Sequence, residues 1–129
     1  MMEIYIASIM VDDQQKALEF YTEKLGFEKL HDIPMGEHRW LTVTAPEGPK
    51  VQVGLEPDSH PAAKTFKDAL MNDGIPWTSF KSKNLQADFE RLKGLGVHFT
   101  CNPTDVGPVI MAVFDDTCGN LIQIIEMKG

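Results

Sequence analysis

Hydrophobic and polar positions along this chain alternate with a period of two in short stretches and switch to helical spacing between them. From Ile4 to Val11 the alternation sets Ile6, Ser8 and Met10 on one side and Tyr5, Ala7, Ile9 and Val11 on the other, which predicts a strand. Asp12 with Gln15 three residues on reads as a capping box. Ala17, Phe20, Tyr21 and Leu25 follow at helical spacing, and Gly26 supplies the left-handed stop. Three further strands are expected at Phe27 to His31, Arg39 to Thr44 beyond the Pro34 and Gly36 turn, and Lys50 to Glu56 beyond the turn at Pro46 to Pro49. The last of these puts Val51, Val53 and Leu55 on a core side and Lys50, Gln52, Gly54 and Glu56 on a polar one.

The pattern then starts again. A linking helix begun by Ser59 and Pro61, with Ala62, Phe66 and Leu70 on its buried face, ends at Gly74. Trp77 to Lys81 reads as a strand, and Leu85, Phe89, Leu92 and Leu95 form a helical stripe. His98 to Cys101, Val109 to Phe114 and Leu121 to Glu126 give three more strands. Leu95-Gly96-Val97 answers Leu25-Gly26-Phe27 seventy residues earlier. The expectation is an α+β fold in one domain spanning residues 1–129: two tandem βαβββ modules forming an open, concave mixed β-sheet with helices on the outside. Module one covers about 3–56, the linking helix about 59–73 and module two about 76–127. The last strand holds one residue that an apolar strand does not need, the amide Gln123.

Composition narrows the function. With 43% hydrophobic residues over 129 positions, the chain can bury a core without a disulfide or structural metal. A net charge of -7 argues against nucleic acid or an anionic membrane as partner. The first residues carry no basic leader, and Glu3 and Ser8 interrupt the apolar run, so neither a signal peptide nor a membrane span is expected and a cytoplasmic location is. Cys101 and Cys118 are too far apart for a CxxC pair and read as free, packed thiols. His31, His38, His60 and His98 show neither HxH nor HxxxH spacing. No GxSxG elbow, phosphate-binding loop or dinucleotide fingerprint is present.

With DDQQKALEFYTEKLGF in the first half and FDDTCGNLIQIIE at the end, the chain resembles the vicinal oxygen chelate superfamily of glyoxalases, bleomycin-resistance proteins, extradiol dioxygenases and fosfomycin-resistance enzymes. The resemblance implies a concave sheet face that usually holds a divalent metal, with one ligand on the first strand of each module and one, commonly Glu, on the last. Carried onto this sequence, those positions fall on Ile6, Gln52, Trp77 (Thr78 in the neighbouring register) and Gln123. Ile and Trp offer no donor, and a neutral amide binds divalent ions far more weakly than carboxylate or imidazole, so no metal and no other cofactor is expected.

The implied cavity brings Ile6, Ser8, Trp40, Gln52, Trp77, Ser79 and Gln123 into candidate ligand-binding positions, with Glu56 as the candidate catalytic group. The two glutamines are either polar lining or hydrogen-bond partners for a ligand, and the two tryptophans either core aromatics or stacking platforms. Two functions stay open. One is a metal-free protein that binds a small, largely apolar or aromatic molecule. The other is a lyase-, isomerase- or dioxygenase-type enzyme with a non-standard metal site or with Glu56 as proton carrier. A homodimer is expected in either case.

Overall fold

The computed structural model describes residues 1–47 and 51–129 and divides into two compact units, Met1–Lys64 and Thr65–Gly129. In the first unit the elements are β1 (Ile6–Val11), α1 (Gln14–Glu19) continued by a π-helical turn (Phe20–Lys24), β2 (Glu28–Met35), β3 (His38–Thr44) and β4 (Gln52–Pro57). After α2 (Pro61–Asn72), within which the two units meet, come β5 (Thr78–Lys81), α3 (Leu85–Gly94), β6 (Phe99–Asp105), β7 (Val109–Asp115) and β8 (Leu121–Met127).

Each unit carries an open four-stranded mixed sheet, ordered β1-β4-β3-β2 in the first and β5-β8-β7-β6 in the second. In both, the first strand pairs in parallel with the last and the remaining pairs are antiparallel. The βαβββ pattern therefore occurs twice, as the repeated periodicity predicts. The expected turn at Pro46 to Pro49 and strand start at Lys50 lie partly outside the described residues.

Each helix starts and stops by the same local chemistry. Asp13, one residue later than the sequence suggests, caps α1 by accepting from the Lys16 amide at 3.0 Å, while Asp12 pairs with the Lys16 ammonium. Asn84 does the same for α3, accepting from the Ala87 amide at 3.1 Å. Gly26 and Gly96 close the two helical segments at φ of 84° and 88°, a conformation costly for any residue with a Cβ. Ala17, Phe20 and Tyr21 are then buried with Val11, Leu41, Val43 and Leu55. In the second unit Phe89, Phe99 and Phe114 stack edge to face beside the buried Leu85, Leu92, Ile122 and Ile124.

Four expectations need correction. Strand β2 runs through Pro34 to Met35, and β6 runs through Pro103 to Asp105. Both are edge strands, where a missing amide donor costs little. Strand β5 begins at Thr78, which leaves Trp77 outside it. On α2 the buried positions are Ala63 and Lys67, whereas Ala62 and Phe66 are exposed. The Lys67 ammonium donates to the Cys118 carbonyl at 2.7 Å in the turn between β7 and β8. Its Cε and Nζ lie 2.8 and 2.9 Å from where a side chain on Gly119 would begin. A buried lysine with a backbone acceptor thus fixes which side of α2 faces inward, a choice that hydrophobic spacing cannot reveal. Cys101 and Cys118 are not in a disulfide, and Cys118 is fully buried. Among the described residues no helix is long and apolar enough to cross a membrane.

Candidate functional site

The β1–β4 ladder sets Ile6 opposite Gln52, Ser8 opposite Gly54 and Met10 opposite Glu56. Paired residues share a face, so these six side positions lie together, on the face opposite the one that buries Ile9, Val11 and Leu55. Thr42 and Thr44 join them from β3, opposite Gly54 and Gln52, with Trp40 two residues further along. Gly54 is the centre of this patch. A Cβ there would stand 2.9 Å from a Glu56 carboxylate oxygen, 3.3 Å from the Ile6 Cγ2 methyl and 3.5 Å from the Ser8 hydroxyl. The absent side chain lets the Glu56 carboxylate fold back along its own strand.

Beyond Thr42 the β3–β4 ladder stops, and the Gln14 side chain from α1 takes its place. Its Nε2 donates to the carbonyls of Arg39 (2.7 Å) and Leu55 (2.8 Å), and its Oε1 accepts from the Arg39 amide at 3.0 Å. One amide therefore satisfies three backbone groups that a splayed strand pair would leave bare. Between the splayed ends lies a recess of about 430 Å³ lined by Met35, His38, Arg39, Trp40, Glu56 and Pro57. The Trp40 ring is backed by His31, tilted at 5.5 Å.

Charge in the recess is unequal. The Arg39 guanidinium is committed: it donates to both Asp32 oxygens at 2.9 and 2.7 Å and to Gln15 Oε1 at 2.8 Å. Those hydrogen bonds hold the Asp32 carboxyl below, and Arg39 above, its ordinary range. Glu56, half-buried, makes no hydrogen bond or ion pair among the described residues. Gln52 is only 4% exposed, and its amide oxygen is the one buried side-chain polar atom among the described residues without a hydrogen-bond partner.

In the second unit the ladder sets Ser79 opposite Gln123, and the Ser79 hydroxyl donates to Gln123 Oε1 at 3.1 Å. The counterpart of Ile6 in the repeat is therefore Ser79, two residues beyond Trp77. Trp77 stands ahead of β5, 72% exposed, with its ring edge-on to Phe66 at 5.5 Å. Of the residues singled out from sequence, Ile6, Ser8, Trp40, Gln52 and Glu56 gather on one face of the first unit, and Ser79 and Gln123 pair in the second. Trp77 joins neither group. Sequence reasoning missed Gln14, whose interior-facing amide reads as an ordinary first-turn helix residue, and Gly54, which reads as one more small residue in a strand.

The family model for the Glyoxalase/Bleomycin resistance protein/Dioxygenase superfamily matches residues 4–124, and the chain belongs to that superfamily. It is 51% identical to the uncharacterized protein YurT of Bacillus subtilis (strain 168), over 97% of this chain and 99% of that one. Among solved structures it is similar to UcmS2, at 34% identity and a TM-score of 0.84, covering 97% of this chain and 98% of that one. It is also similar to TnmS3, an antibiotic binding protein from Streptomyces sp. CB03234, at 27% identity and a TM-score of 0.77, covering 99% and 98%.

Proposed function

We propose that this protein binds a small, largely apolar or aromatic molecule on the face formed by Ile6, Ser8, Gln52, Gly54 and Glu56, with Trp40 as its wall, and does so without a divalent metal. The observation that carries this reading is the Gln52 amide oxygen, buried and without a hydrogen-bond partner among the described residues. Leaving a buried acceptor unmade costs roughly 1–3 kcal/mol, a debt that a ligand's donor removes. The donor set supports the metal-free part. Ile6 presents a methyl where the resemblance calls for a ligand, Gln52 a neutral amide, and Gln123 is already bonded to Ser79. No group of three or more His, Cys, Asp or Glu among the described residues could hold an ion. The likeness to an antibiotic binding protein supports binding rather than turnover. We also propose that the chain works as a homodimer.

Fluorescence tests the reading directly. In a Trp77→Phe variant, Trp40 is the remaining tryptophan, and planar aromatic compounds are expected to quench it saturably. Protein purified without chelator is expected to carry no stoichiometric metal. One equivalent of Ni, Zn, Mn or Fe, lost on Glu56→Ala, would overturn the metal-free reading.

A further inference from the structure

We infer that the molecule held on this face is a cation: a planar ring carrying a protonated amine or similar N–H group, paired with Glu56 while the ring lies on Trp40. The inference rests on the binding reading above and adds the charge of the ligand. It starts from the hydrogen-bonding character of the two polar groups that flank Gly54. Gln52 offers a buried oxygen that lacks a donor among the described residues. Glu56, when ionised, can only accept, and it too lacks a donor among the described residues. Both therefore call for N–H or O–H groups from outside the protein, and the missing side chain at Gly54 is what gives the Glu56 carboxylate its place on this face, 2.9 Å from where a Cβ would stand.

The charges around the recess select among donors. Of the residues that line it, Arg39 has its positive charge matched by Asp32 through two hydrogen bonds, so the pair is close to neutral. His38 stands exposed on the hairpin at the rim. Glu56 is then the acid that faces the recess without a counter-charge. A half-buried carboxylate is less screened than a surface one, so a cation beside it gains more than a surface pair would. The indole of Trp40 favours the same sign, because the face of its ring is electron-rich. A neutral ligand would leave Glu56 unpaired, and an anion would be repelled by it.

One ring system in three charge states tests this: 9-aminoacridine as the cation, acridone as the neutral compound and acridine-9-carboxylate as the anion, each measured by equilibrium dialysis against the full chain. The cation is expected to bind at least tenfold more tightly than acridone, with the anion weakest. Glu56→Gln is expected to bring the cation down to the affinity of acridone and to leave acridone unchanged. Glu19→Gln makes the same change in net charge on the exposed face of α1 and is expected to preserve the order. Unchanged circular dichroism and melting temperature establish that both variants fold. If acridone binds as tightly as the cation, or if Glu19→Gln removes the preference as fully as Glu56→Gln, the charge inference is overturned while binding on this face stands. If none of the three compounds binds, the binding reading fails and the inference fails with it.

Discussion

Gln52 and Gln123 occupy corresponding places in the repeat, yet only one of them is satisfied. Ser79 donates to Gln123, whereas Ile6, the residue opposite Gln52, has nothing to donate. Replacing a buried, unpaired amide with an apolar side chain of similar size removes a desolvation penalty, so Gln52→Leu is expected to raise stability by about 1 kcal/mol while weakening ligand binding. Urea unfolding of the two proteins checks it; a lower midpoint for the variant would mean that Gln52 has a structural partner after all. Asp32 makes a different kind of prediction. Its carboxyl is held below its ordinary range by the Arg39 hydrogen bonds, so the stabilisation is complete above the unfolded-state value near 4 and is lost as pH falls through the lower folded value. Asp32→Asn should therefore destabilise the protein at neutral pH and flatten the acid limb of its melting temperature against pH. An acid limb as steep as that of the unmodified chain would place the titrating group elsewhere. The sequence exposes Gln123 as an oddity because an amide interrupts an apolar strand, and Gln52 only as one of the polar positions of an alternating strand; whether either amide has a partner depends on the residue across the ladder, which no spacing rule reports.

At the scale of elements, the splay of β3 from β4 is what creates a recess at all, and the splay is held by a side chain rather than by backbone pairing. Gln14→Leu removes one acceptor and two donor bonds to Arg39 and Leu55. The expected cost is about 1–3 kcal/mol, since the freed backbone groups are partly buried and only in part reachable by water. Gln14→Glu should be worse at neutral pH, because a carboxylate would face two carbonyl oxygens, and should recover in part on acidification. Thermal melts of the two variants at neutral and acid pH decide it. If Gln14→Leu melts with the unmodified chain, the strands are splayed by their own packing and the amide merely follows. Most elements are legible in the chain because alternation, caps and glycine stops are local: Gly26 and Gly96 mark both helix ends, and Val53 and Leu55 mark the strand, whereas Val51, expected on its core side, lies ahead of it and is exposed. The inward face of α2 and the reach of β2 past Pro34 are not legible. The first turns on Lys67 meeting a carbonyl fifty-one residues away, the second on β2 being an edge.

For the molecule as a whole, the repeat was legible and its inequality was not. Leu25-Gly26-Phe27 and Leu95-Gly96-Val97 announce two modules, yet the pairing of Ser79 rather than Trp77 with Gln123 follows from where β5 begins, and Trp77 ends up against Phe66 instead of on the sheet. Each module leaves two sheet edges, β1 and β2 in one and β5 and β6 in the other. On β2 the side chains of Leu30, Ile33 and Met35 are exposed together, more apolar surface than a solitary edge strand usually shows to water. Closed two-fold pairing is the commonest way for such a chain to cover it, and an isologous contact would use the same residues twice. Sedimentation velocity at micromolar concentration is therefore expected to give a mass of twice 14.4 kDa. Ile33→Lys should shift that mass toward the single chain, because a charge at a two-fold contact meets its own copy, while the melting profile at low concentration stays the same. A single-chain mass for the unmodified protein would show that β2 remains in water and that whatever the recess binds, it binds without help from a second copy.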